Sequence, residues 1–196
     1  MTIITVTSEK DRLSLDQRRE LARSLTDAVL VPEVGQLAPA ARVGFQVHFV
    51  EREPDLMAIG GVLVSDQEPS ADVMVIDIAV MDGDWTQEVR AEVIQRTFAA
   101  LAEATGAATP APAWWVNFRV IDEASWGSLG SVLSVLDLLD SGVFTEQKAT
   151  AVRAHITAAA QTRTENISTP RSFDSSRRVA VSLRVIRPPP RVQSHS

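Results

Sequence analysis

The sequence predicts an α/β (α+β) fold made of tandem β-α-β units, with mixed sheets and helices packed on one face. Three observations carry that prediction. The segment Val43–Glu51 alternates cleanly, with Val43, Phe45, Val47 and Phe49 on one face and Gly44, Gln46, His48 and Val50 on the other. The same pattern returns at Val116–Asp122 and at Val181–Arg187, which marks three copies of one supersecondary unit. Ahead of these strands lie short apolar or β-branched runs and stretches with helical period. Strand, helix and strand with short crossovers demand parallel pairing and a right-handed connection. Each unit then covers only one face of its sheet, so the units must associate.

The first unit spans 1–68. Ile3–Thr7 is a short strand rich in β-branched residues. Ser14 and Gln17 form a capping box for a helix whose stripe is Leu21, Leu25, Ala28 and Val29. Pro32 and Gly35 end that helix, and Gln36–Ala41 reads as a loop. The Val43–Glu51 strand follows, and Gly60-Gly61 supplies the tight turn of a hairpin. The second unit, 69–131, repeats the order. Val73–Met81 is a buried strand, and Asp84 or Thr86 caps a helix bearing Val89, Val93, Ile94, Phe98 and Leu101, stopped at Gly106. Ala107–Ala113 is extended because of Pro110 and Pro112, and Trp114-Trp115 leads into the repeated strand. Glu123–Gly130 repeats the glycine-turn ending. The third unit, 132–190, is degenerate. Its strand is expected at Val132–Leu139, its helix carries Ala149, Val152, Ile156 and Ala159, and Gln161–Arg178 is a polar, irregular stretch. Val179–Ile186 is its last strand, closed by Pro188-Pro189-Pro190, and 191–196 reads as a disordered tail.

Composition limits the function classes. A chain of 196 residues, 45% hydrophobic and 22% charged, is that of an ordinary globular protein. Its net charge of -6 argues against a nucleic-acid partner and against adhesion to anionic membrane. There is no cysteine, hence no disulfide or thiolate chemistry. No signal peptide or membrane span is visible, so a cytoplasmic protein is the expectation. With three scattered histidines and no cysteine, neither a metal site nor a cofactor is expected. No phosphate loop, nucleophile elbow or dinucleotide fingerprint is present.

The short N-terminal strand, Leu13–Ala22, Val43–Glu51 and Met57–Leu63, with Glu123–Gly127 as the second unit's hairpin, resemble the tautomerase superfamily typified by 4-oxalocrotonate tautomerase. The likeness extends to about Gly130 and is weaker beyond. It implies β-α-β building blocks, six of which assemble about a pseudo-threefold axis. Three units per chain would make a homodimer, with a monomer closing its own ring as the alternative. It also implies proton transfer on a dicarbonyl or enol acid by an N-terminal proline. Arginines would bind the substrate carboxylate, and a hairpin side chain would wall the site. The residue after Met1 is Thr2, not proline. Removal of Met1 would leave a Thr2 amine with an ordinary pKa of about 7.7–8.0, a usable base that lacks proline's secondary amine.

The candidate proton-transfer groups are therefore Thr2, His48 and Glu123. His48 titrates near neutrality in its ordinary state, and Glu51, Asp122 and Glu123 stand at strand ends. The candidate substrate-binding residues are Arg12, Gln46, Asn117, Arg119, Trp126 and Arg184. Arg12 matches a carboxylate-binding position implied by the resemblance, and a solvated loop charge is the competing reading. Gln46 and His48, Asn117 and Arg119, and Ser182 and Arg184 are read as equivalent pairs on the polar strand face. The family's strand arginine aligns with Gln46, so Arg119 or Arg184 would replace its charge. Met57 and Trp126 are hairpin residues suited to an apolar wall or an interface. The expected function is a tautomerase-like isomerase acting by keto-enol isomerisation or enol-mediated cyclisation on a small oxo-acid or polyketide-like substrate. A non-catalytic scaffold or binding protein that keeps the fold is the alternative.

Overall fold

The computed structural model of the chain describes residues 1–168. Its elements are β1 (Thr2–Glu9), α1 (Leu15–Val34), β2 (Phe45–Arg52), β3 (Ala58–Ile59), β4 (Val62–Leu63), β5 (Met74–Met81), α2 (Gln87–Thr105), β6 (Trp114–Ile121), β7 (Trp126–Ser128), β8 (Ser131–Leu133), α3 (Val135–Leu139) and α4 (Glu146–Ser168). One four-stranded sheet has the order β2-β1-β5-β6. Each unit forms a parallel pair, β1 with β2 and β5 with β6, and the two units join through antiparallel β1 and β5. The expected β-α-β-hairpin order is present twice.

One sheet face is packed and the other is open. Ile4, Val6, Ile76, Ile78 and Val80 meet Leu21, Leu25, Val29, Val93 and Leu101 from α1 and α2 in a single buried cluster. Burying each such side chain contributes about 1.5–3 kcal/mol. The Ser14–Gln17 capping box is formed in both directions, at 2.8 and 3.2 Å, and stabilises the start of α1 by about 1 kcal/mol. On the open face the register sets three rows across all four strands. They are Gln46–Ile3–Ala79–Arg119, then His48–Thr5–Asp77–Asn117, then Val50–Thr7–Val75–Trp115.

Helix α1 runs to Val34 with Pro32 in its last turn and ends at Gly35, the stop read from the sequence, whose φ of 84° is left-handed. Proline removes its own N–H bond and its ring crowds the carbonyl four residues back, a local cost that α1 carries two residues before its end. The segment Val132–Leu139 is not a strand. It supplies β8, paired back onto β7, and then α3, capped by the Ser134 side chain at Leu136 N. Its Val135 and Leu139 face a second small core with Met81, Ala149 and Val152, a helical spacing that an apolar run conceals. The expected helix around Ala149 and Val152 is present as α4 and continues through the stretch read as irregular from Gln161, as far as Ser168. The Val179–Ile186 strand and the tail lie outside the described residues. Among the described residues no helix is long and apolar enough to cross a membrane.

Helix α4 is held to the end of the sheet where β1 begins. Thr145 N donates to Val34 O at 2.8 Å, Lys148 pairs with Asp84 at 3.2 Å, and His155 Nε2 lies 3.0 Å from Asp82 Oδ1. Gly35 sits in this junction: a Cβ there would lie 2.5 Å from Thr145 Oγ1 and 2.9 Å from Lys148 Cγ. Gly106, which ends α2 with a φ of 70°, would meet nothing within 4 Å. Gly106→Ala should therefore cost only the left-handed backbone penalty, about 1 kcal/mol. Gly35→Ala should cost about 1–3 kcal/mol more, the range for overpacking. Urea unfolding midpoints check the difference, and equal costs would contradict the close packing of α1 on α4.

Candidate active site

A cleft of about 380 Å³ opens at the end of the sheet where β1 and β2 start and β5 and β6 finish. The row Gln46–Ile3–Ala79–Arg119 forms its floor, and Met1, Thr2, Ser125 and Trp126 contribute to its walls. Four strands thus deliver one residue each to a single line. Gln46 and Arg119 stand at its two ends. Among the described residues Arg119 has no ion-pair partner, and its side chain is exposed on this face. A guanidinium that no carboxylate neutralises is available to an anionic ligand.

The Thr2 side chain is buried, and its Oγ1 donates to Glu33 Oε2 at a long 3.4 Å. Glu33 is half-buried in the last turn of α1. Burial pushes its carboxyl from 4.5 up to about 7, against the lowering pull of the chain's amino group and of the Thr2 hydroxyl. Among the described residues no group of three His, Asp or Glu side chains could hold a metal ion.

A larger groove of about 500 Å³ adjoins the cleft and shares Met1, Gly44 and Ser128 with it. A third cavity, about 490 Å³, lies at the opposite end of the sheet against Arg52, Met57, Ile59 and Trp115. Matching the strand starts, Thr2 with Met74 and Phe45 with Trp114, makes this third cavity the second unit's counterpart of the cleft.

No protein-family model matches the sequence, and no curated protein does. Solved structures do match. The native fused 4-OT structure is 21% identical over 66% of this chain and 94% of its own, with a TM-score of 0.54. Pt0534, solved after inactivation by 2-oxo-3-pentynoate, is 19% identical over 69% of this chain and 98% of its own, with a TM-score of 0.54. N1, a member of the cis-3-chloroacrylic acid dehalogenase family, is 16% identical over 78% of this chain and 99% of its own, again at 0.54. The chain has the tautomerase fold.

Within that fold the residues singled out from the sequence separate. Thr2, Gln46, Arg119 and Trp126 meet at the cleft. His48 lies one row away and contacts Gln46 Oε1 at 3.1 Å, while Asn117 in the same row donates to Asp77 at 3.1 Å. Glu123 accepts from Val135 N at 3.2 Å at the start of α3. Arg12 grips Asp72 with two bonds, 2.7 and 2.9 Å, and holds that carboxyl below its ordinary pKa. It follows the far end of β1, away from Thr2. Ser182 and Arg184 lie outside the described residues. The pairing by strand starts also corrects the equivalence expected between the copies: Gln46 corresponds to Trp115, His48 to Asn117, and Val50 to Arg119. Alternation identifies the shared face but leaves a two-residue slip undetected, because the slip returns every side chain to the same side.

No motif marks Glu33 in the sequence, because the residues that share its groove, among them Val135 and Phe144, lie far along the chain. Its burial has a pH consequence. The unfolded chain ionises this group from about 4.5 and the folded chain holds the proton to about 7, so unfolding releases a proton between them. Stability should therefore fall as pH rises through that window. Melting temperatures at pH 5 and pH 8 should show the Glu33 contribution disappearing in Glu33→Gln. An identical drop in both proteins would mean that the carboxyl is not buried.

Proposed function

We infer that this protein is a tautomerase-like isomerase that moves a proton between carbon and oxygen of a small oxo-acid or enol without an N-terminal proline. The observation that carries the reading is the unpaired Arg119 guanidinium on the same cross-strand row as Ile3, beside the head of β1. Arg119 anchors the substrate carboxylate or the enolate oxygen, and Gln46 offers an amide from the other end of the row. Trp126 walls the ring or chain of the substrate. The corner made by Thr2, the chain's amine and Glu33 handles the proton. A base here removes a proton from the carbon beside a ketone, and the electron pair moves onto the carbonyl oxygen. Arg119 stabilises the resulting enolate, which takes the proton back at oxygen. The step is a net isomerisation and needs no second reactant. A carboxyl with a pKa of about 7 is matched to acid–base work near neutrality. The same chemistry serves an enol-mediated cyclisation of a polyketide-like substrate.

Assembly forms part of this reading. The open face carries Trp115, Gln46, His48, Asn117 and Arg119 without a covering layer. One solved neighbour is a fused 4-OT symmetric trimer. The two units among the described residues reach six with three copies, which favours a homotrimer over the dimer that three units would require. Native mass spectrometry separates the two.

Ketonisation of phenylpyruvate or 2-hydroxymuconate tests the chemistry. A rate above buffer is expected, with a drop of about 10²–10³ in Arg119→Ala, the size of loss seen when one oxyanion donor is removed. Rates no faster than buffer, unchanged by Arg119→Ala, would favour a scaffold that only binds.

A further inference from the structure

We propose that the groove beside the cleft is a binding site for the hydrocarbon part of the substrate, so that the ligand class is an amphipathic oxo-acid: a carboxylate at Arg119 and an alkyl or aryl chain over α3. The proposal rests on Arg119 as the anion anchor and extends that reading to substrate class.

The groove is the larger of the two adjoining cavities, at about 500 Å³, and its walls are almost wholly apolar. Phe45 and Met81 come from the sheet, Leu133 from β8, and Val135, Leu138 and Phe144 from α3 and the segment after it. Glu33 is the one charged side chain lining it, and it stands at the seam with the cleft, against Thr2. A cavity of this size with an apolar lining and a few convergent polar groups at one end is the usual form of a small-molecule site.

A second observation comes from the rim. In the β7–β8 turn Leu129 has a φ of 52°, followed by Gly130 at 79°. The counterpart turn between β3 and β4 places Gly60 and Gly61 at these positions, the residues such a turn prefers. Leucine here carries the strain of a left-handed backbone, and its side chain is fully exposed at the groove's edge. Strain of this kind clusters at ligand-binding sites, and an exposed leucine lining an apolar groove extends its wall. The cleft and groove are contiguous, so one molecule spans both.

Calorimetric titration of the full chain with straight-chain 2-oxo acids, from pyruvate to 2-oxooctanoate, tests the proposal. Burial of each added methylene should lower Kd roughly fourfold. Arg119→Ala should weaken every member by a common factor and leave that slope intact. Ala40→Trp, a substitution at an exposed position lining the groove, should flatten the slope while pyruvate binding stays unchanged. A series that binds with no dependence on length overturns the groove and spares the anion anchor. Failure of every member to bind, in wild type and Arg119→Ala alike, removes the anchor and the proposal with it. A smaller native mass in Ala40→Trp together with a flat series in the wild type would assign the groove to a second copy of the chain and overturn the proposal.

Discussion

The antiparallel pairing of β1 with β5 is the constraint on which the remaining structure depends. Each parallel pair alone would present an edge and one uncovered face, and neither is stable in isolation. Joined back to back, with Thr5 opposite Asp77, the two units share one sheet and one core under α1 and α2. The pairing also decides which residues become neighbours across the sheet. It places the start of β1 beside the end of β5, and therefore brings Ile3 into line with Ala79 and Arg119. A two-residue slip would keep every face intact and dissolve that row.

The sequence made the repeat legible because alternation and helical period are strong, local signals. The strands, both major helices, the capping box and both glycine hairpins follow from it. What it hid was of two kinds. The first was the counting of equivalences between copies: Asn117 was matched to Gln46 when its structural counterpart is His48, since period two is blind to even shifts. The second was long-range placement. Arg12 is held by Asp72 across 60 positions, and Glu123 spends its carboxylate on the start of α3. Neither contact is encoded by spacing.

Glu33 illustrates what the last turn of a helix can carry. Carried on for two residues past Pro32, the helix turns that side chain towards Thr2 and into the shelter of α3 and the segment before α4. An ionisable group then acquires the environment that tunes it. The cost of its burial is accepted at one end of the sheet, beside Thr2.

The C-terminal helices have a meaning that their sequence does not suggest. Among the described residues the second unit's hairpin closes at β8, and the four-stranded sheet and its core precede it. Helices α3 and α4 arrive afterwards and pack as a small second core against Met81. None of their residues lines the cleft, yet α3 and the loop that leads to α4 form one side of the adjoining groove. An appendage placed in this way is an exchangeable wall. Its residues can change without altering strand register, so the shape of the groove can diverge on an unchanged sheet.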